Sequence, residues 1–93
     1  MAFYFRWDPK KAAGNLKKHG VSFEEATTVF GDVFSSTVED PLHSREERRF
    51  ATIGESIQGR LIVVAHTDEG NSIRIISARA ATRKERKCYE QGK

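Results

Sequence analysis

The sequence predicts an α+β fold with elements in the order β-α-α-β-β-β-β-α, arranged as a single antiparallel sheet with an N-terminal helical hairpin and a C-terminal helix. Three observations predict it. Bulky residues alternating with period two mark strands, and Ser, Thr or Asp caps ahead of apolar residues three and four apart mark helices. Short Gly-containing connections join the last three strands. At 93 residues the chain can build one modest core, so a single domain over 1–93 is expected.

The first element is "FYFRW", where Phe3, Phe5 and Trp7 alternate with Tyr4 and Arg6 as in a strand with one buried face. Asp8 then offers an N-cap acceptor, Pro9 suits the first helical position and Gly20 a C-terminal stop, predicting a helix over Pro9–His19. Gly14 inside it costs about 1 kcal/mol relative to Ala. Ser22 and Glu25 have capping-box spacing and open a second helix with Phe23, Ala26, Val29 and Phe30 on one side.

"VFSSTVED" reads as the second strand, broken by Asp40-Pro41, and the polar stretch "EDPLHSREER" is expected to be exposed. "RRFATIGES", "GRLIVVAHTD" and "SIRIISAR" form a meander through "IQG" and "EGN". Thr82 and Glu85 make a second capping box, starting a final helix that runs to about Gln91. The helical hairpin and the last helix are expected on one face of the sheet, leaving the other face or its end for function.

The bulk composition, 38% hydrophobic and 31% charged, is that of a soluble globular protein. Sixteen Lys and Arg against thirteen Asp and Glu give +3, with a pI near 9.2, which suits a polyanion or an acidic protein as partner. The excess is local: Ala78–Lys93 carries six Lys/Arg and two Glu. A lone Cys88 excludes an internal disulfide and reads as a small apolar side chain. No stretch approaches the ~18 apolar residues of a membrane span, and a cytoplasmic location is expected.

Several separate blocks resemble one family. "FRWDPKKAAGNLKKHGVSFEEATTVF", "DPLHS" with "EERRF", "GRLIVVAHT", "IRIISAR" and "ATRKERKCYE" are similar to the BrnT toxins of type II toxin–antitoxin modules, over almost the whole chain. The resemblance implies a RelE/ParE-like fold and a ribonuclease that blocks translation. It also implies a BrnA-like antitoxin with a ribbon-helix-helix DNA-binding region, joined to the toxin in a hetero-oligomer. Gly14 departs from the family's helix and bears on stability more than on chemistry.

RNA cleavage without a metal needs a base for the ribose 2′-OH proton, cations for the phosphate and an acid for the leaving 5′-oxygen. Arg79 leads the candidates, at a strand end just before a helix N-terminus, where a guanidinium fork can grip a phosphate. The competing structural reading is an ion pair with Glu85 or Glu47. His66 is the natural proton-transfer group, because an ordinary imidazole titrates near ~6.5, and the alternative is a half-buried strand histidine. Glu47 is a second possible base.

Strand alternation puts Ile73, Ile75, Ser77 and Arg79 on one face and Arg74, Ile76 and Ala78 on the other. With an even-numbered hairpin loop, Arg60, Ile62, Val64 and His66 share the Arg79 face; a shift of one residue moves His66 and Arg60 away. Arg60, Arg74, Ser77, Arg83, Arg86 and Lys87 are the RNA-contact candidates, the last three as a rail along the final helix. His43 and Ser44 sit in the exposed loop, where either solvation or substrate contact is open to them. A metal site from Asp40, His43 and His19 or His66 follows no ligand motif, so no metal or cofactor is expected. Two other readings remain: a ParE-like inhibitor that binds without catalysis, and a basic RNA-binding module.

Overall fold

The computed structural model describes residues 4–43 and 47–92. Strand β1 (Tyr4–Arg6) leads into α1 (Pro9–His19) and α2 (Phe23–Thr28), which tightens into a 3₁₀ turn at Val29–Gly31. Strands β2 (Ser36–Glu39), β3 (Phe50–Glu55), β4 (Leu61–Glu69) and β5 (Ser72–Ala80) follow, then α3 (Arg83–Gln91). A second 3₁₀ turn, Pro41–His43, leaves β2. Phe3 and Ser44, both named in the sequence reading, lie outside the described residues.

The caps explain why the helices start and stop where they do. Asp8 accepts the Lys10 N–H, and Gly20 closes α1 at φ +70°, a left-handed conformation that a side chain would strain. Ser22 accepts the Glu25 N–H, but Glu25 does not complete the expected box: its carboxylate is buried and turned to Arg60 and Ser56. At α3 the box is complete, with Thr82 and Glu85 each accepting the other's backbone N–H.

The sheet order is β1-β5-β4-β3-β2, and it corrects two expectations. The sheet is mixed, because β1 lies parallel to β5 and only the other pairs are antiparallel. The intervening helices carry the chain back across the sheet before β1's neighbour is made, which a hairpin cannot do. The helices also divide between the faces. α1 and α2 cover one, burying Val21, Phe23, Ala26 and Val29 against Ile62, Val64, Ile75 and Ala78. α3 lies over one end of the other, anchored by buried Tyr89, whose hydroxyl donates to Asp32. The rest of that second face is open.

The third correction lies in β5. A bulge between Ala65 and His66 pairs Ala65 with Ser77 but His66 with Ile75, leaving Ile76 as an extra residue. Alternation changes phase there. Ile73, Ile75 and Ala78 are buried on the helix-covered face, while Arg74, Ser77 and Arg79 take the open one. Ser77 and Arg79 do share a face as expected, without Ile73 and Ile75.

Beyond the end of β1, the outer edge of β5 is completed by a side chain. Asn15 of α1, buried, donates Nδ2 to the carbonyls of Ala78 at 2.8 Å and Val21 at 2.9 Å, and its Oδ1 accepts the Ala78 N–H at 3.0 Å. The amide thus satisfies both backbone groups of the residue next to Arg79.

Candidate active site

On the open face a cleft of about 290 Å³ is lined by Asp40, His43, Arg49, Ser77 and Arg79 over a floor that includes Ala51, Val63 and Ala65. Each polar group arrives by a different route. The turn after β2 presents Asp40 and His43 three residues apart, and Asp40 Oδ2 lies 2.7 Å from His43 Nδ1. A carboxylate only accepts, so Nδ1–H donates to it and Nε2 is left for other chemistry. Arg49 enters from the segment leading into β3, and Ser77 and Arg79, two residues apart on β5, face the cleft because the bulge set their phase.

Arg79 is held rather than loose. Its guanidinium donates to both oxygens of Glu85, at 2.7 and 2.8 Å, and its Nη1 also reaches the Ala80 carbonyl at 3.3 Å. The hydrogen bond from Arg79 is the main reason the Glu85 carboxyl titrates near 2, and the same contact raises the arginine's own value. The ion pair foreseen as the competing reading is therefore present. It leaves about two-fifths of the Arg79 side chain exposed at the cleft wall.

The other expected members are elsewhere. His66 faces the helix-covered side, 1% exposed, its ring edge-on to Phe30 and stacked on Phe50. Its Nδ1 lies 2.8 Å from Asp68 and its Nε2 2.7 Å from Thr52 Oγ1, and burial pushes its pKa down despite Asp68. Arg60 sits at the β3–β4 turn, bound to Glu25 and to the Gly20 carbonyl, so it ties that turn to α2. The expected grouping of Arg60, His66 and Arg79 on one surface is not found: the register put His66 and Arg60's partners behind the sheet.

Glu47 pairs with Arg74, which also reaches Thr67 Oγ1 at 3.4 Å on the open face. Arg83, Arg86 and Lys87 are exposed along α3. No three His, Cys, Asp or Glu side chains form a metal-holding group among the described residues. The sequence singles out neither Arg49 nor Asn15, and it offers Asp40 and His43 only as members of an unsupported metal site and, for His43, as a loop residue. The available signal was the Asp-x-x-His spacing in "DPLHS", which sets a carboxylate beside an imidazole on one turn.

Residues 7–85 match the family model described as "Ribonuclease toxin, BrnT, of type II toxin-antitoxin system". The crystal structure of the Brucella abortus ribonuclease toxin BrnT superposes with a TM-score of 0.64 at 25% identity, covering 88% of this chain and all of that one. No curated protein matches the chain. The family match spans β2 to β5 and most of the helices, including every residue that lines the cleft. A five-stranded sheet with a cationic cleft on its open face is, in this chain, the scaffold of a BrnT-family ribonuclease toxin of a type II toxin–antitoxin system.

Proposed function

We propose that the chain is an endoribonuclease toxin that cleaves RNA by general acid–base chemistry without a metal, that it blocks translation by doing so, and that a BrnA-like antitoxin carrying a ribbon-helix-helix region restrains it in a hetero-oligomer. One observation carries the chemistry: an Asp40-backed imidazole and two guanidinium groups, Arg49 and Arg79, line a single cleft with the Ser77 hydroxyl.

The reaction needs no protein nucleophile, because the ribose 2′-oxygen attacks the adjacent phosphorus. His43 Nε2 takes the 2′-OH proton while Asp40 stabilises the imidazolium that forms. Arg79 and Arg49 bear on the phosphate as negative charge accumulates on its oxygens, and Ser77 donates a hydrogen bond to it. The P–O5′ bond breaks, the 5′-oxygen receives the proton back from His43, and the products are a 2′,3′-cyclic phosphate and a free 5′-hydroxyl. Glu47 and His66, expected as proton carriers, are replaced in this role by His43. Arg74, Arg83, Arg86 and Lys87 lend the surrounding surface the positive charge that attracts an RNA strand, and Arg60 acts as a strut.

The test uses purified chain separated from antitoxin, naked RNA and an excess of chelator. Cleavage with 2′,3′-cyclic phosphate ends is expected, together with arrest of a cell-free translation reaction. RNA that stays intact, or is cut only when a divalent ion is restored, overturns the reading.

A further inference from the structure

Beside the cleft, the open face holds a second cavity of different character. It measures about 260 Å³, is floored by Val38, Ala51, Ile53 and Val63, and is walled on one side by Lys84 and Cys88 of α3. Its floor is aliphatic and has no aromatic ring on which a base could stack. β2 is the edge strand, all four of its residues are exposed, and Val38 is 60% exposed there. α3 roofs only one end of the face, so half a helical layer is missing above β2 and β3.

The α3 side of this groove carries the Lys84 ammonium and the Glu85 carboxylate, whose charge is taken up by Arg79. Lys84 lines it directly, and exposed Arg83 and Lys87 belong to the same short helix. An occupant must therefore combine aliphatic side chains toward the floor with negative charge toward α3.

We propose that the groove receives an amphipathic helix of the antitoxin, aliphatic on the side that meets Val38 and Ile53 and acidic on the flank that meets Lys84. This rests on the toxin–antitoxin reading above and adds where, and by what chemistry, the partner engages. A helix laid beside α3 completes the layer over the sheet in the helix-in-groove manner. It also explains silencing. The groove and the cleft share Ala51 and Val63 as common floor, and Glu85, the partner of Arg79, lines the groove. A helix seated in one abuts the other and presses on the residue that holds its arginine.

The test is calorimetric titration of the intact chain with its cognate antitoxin protein, using wild type, Val38→Asp, Lys84→Glu and, as a control on another surface, Ile57→Asp. All three positions are exposed, so each variant is expected to keep its circular dichroism spectrum. Val38→Asp and Lys84→Glu are expected to weaken binding about tenfold or more, and Ile57→Asp to leave it unchanged. Free Val38→Asp should cut RNA at the wild-type rate and escape inhibition at antitoxin concentrations that silence wild type. Binding of both groove variants within about twofold of wild type, or equal loss at Ile57→Asp, overturns the proposal. Because titration does not depend on catalysis, a chain that leaves RNA intact refutes the ribonuclease chemistry without deciding the groove.

Discussion

Arg79 and Glu85 meet prong to prong, Nη1 to Oε1 at 2.7 Å and Nη2 to Oε2 at 2.8 Å, and the same Oε1 accepts the Thr82 N–H at 2.9 Å. One carboxylate therefore closes the N-terminal cap of α3 and aims the cation of the cleft. The sheet end and the helix start are joined through it.

Glu85→Gln separates those two duties. The amide oxygen still accepts from Thr82, while its NH2 cannot accept, so the charged, two-pronged grip on Arg79 is reduced to a single neutral bond. Single-turnover RNA cleavage is expected to slow about tenfold to a hundredfold, as for other small misplacements of a reacting group, with melting temperature little changed. Glu85→Ala loses the cap as well, costing about 1 kcal/mol of stability. An undiminished rate in Glu85→Gln would mean that Arg79 finds its position without it.

His43 and Asp40 lie on a turn at the surface, where the exposed His43 ring bonds to Asp40. His43→Ala should lower the cleavage rate about 10²- to 10⁴-fold, the range for a positioned acid–base group, at unchanged melting temperature. Asp40→Asn should cost less, since the imidazole remains while its orientation and its charged form lose support. Cleavage by His43→Ala at the wild-type rate would send the search for the base to Glu47.

Asn15 makes a different kind of prediction, because it is structural and yet touches the site through Ala78. Asn15→Leu preserves approximate volume but strands the N–H and C=O of Ala78 and the carbonyl of Val21 inside the fold. The expected loss is about 1–3 kcal/mol per buried group left without a partner, read by urea unfolding. Cleavage should fall with it at temperatures where the chain is still folded, since Arg79 follows Ala78 directly. Asn15→Asp should be nearly as damaging, because a carboxylate cannot donate to either carbonyl.

What the sequence made legible was local. α1 matches its expected bounds, and Thr82 and Glu85 cap α3, because caps and period-3.6 patterns need only neighbouring residues. Strands β3 to β5 were visible through alternation and short turns for the same reason. Their relative phase was not, since a single unpaired residue at Ile76 decides whether Arg79 shares a face with His66, and nothing in "RIISAR" announces a bulge. Glu25 has the right spacing for a capping box, yet Arg60, 35 positions away, takes its carboxylate. The cleft was half legible: Ser77 and Arg79 were grouped correctly, whereas their alignment with Asp40, His43 and Arg49 depends on pairing between β3, β4 and β5.

Acid should unfold the chain in two separable stages, each with the same sign. Burial lowers the His66 pKa, so the native state resists a proton that the unfolded chain takes up near 6.5. Its contribution is complete above that value and is lost as pH falls below it. The hydrogen bonds agree: with Nδ1–H donating to Asp68, Nε2 accepts from Thr52, and a protonated ring would have to reverse that bond. Glu85 titrates near 2 against an ordinary 4.5, chiefly through the hydrogen bond from Arg79, so its contribution is complete above 4.5 and is lost as pH falls toward 2. Glu25, lowered first by its hydrogen bond to Arg60, acts in the same direction. Melting temperature followed from pH 8 to 2 should therefore decline below 6.5 and again below 4.5. His66→Gln should flatten the first decline alone, and Glu85→Gln should reduce only the second, with Glu25 and the Arg48-paired Glu39 supplying what remains. A His66→Gln chain that keeps the full slope between pH 7 and 5 would place that titration on another histidine, and with it the claim that His66 belongs to the core rather than to the cleft would lose its thermodynamic support.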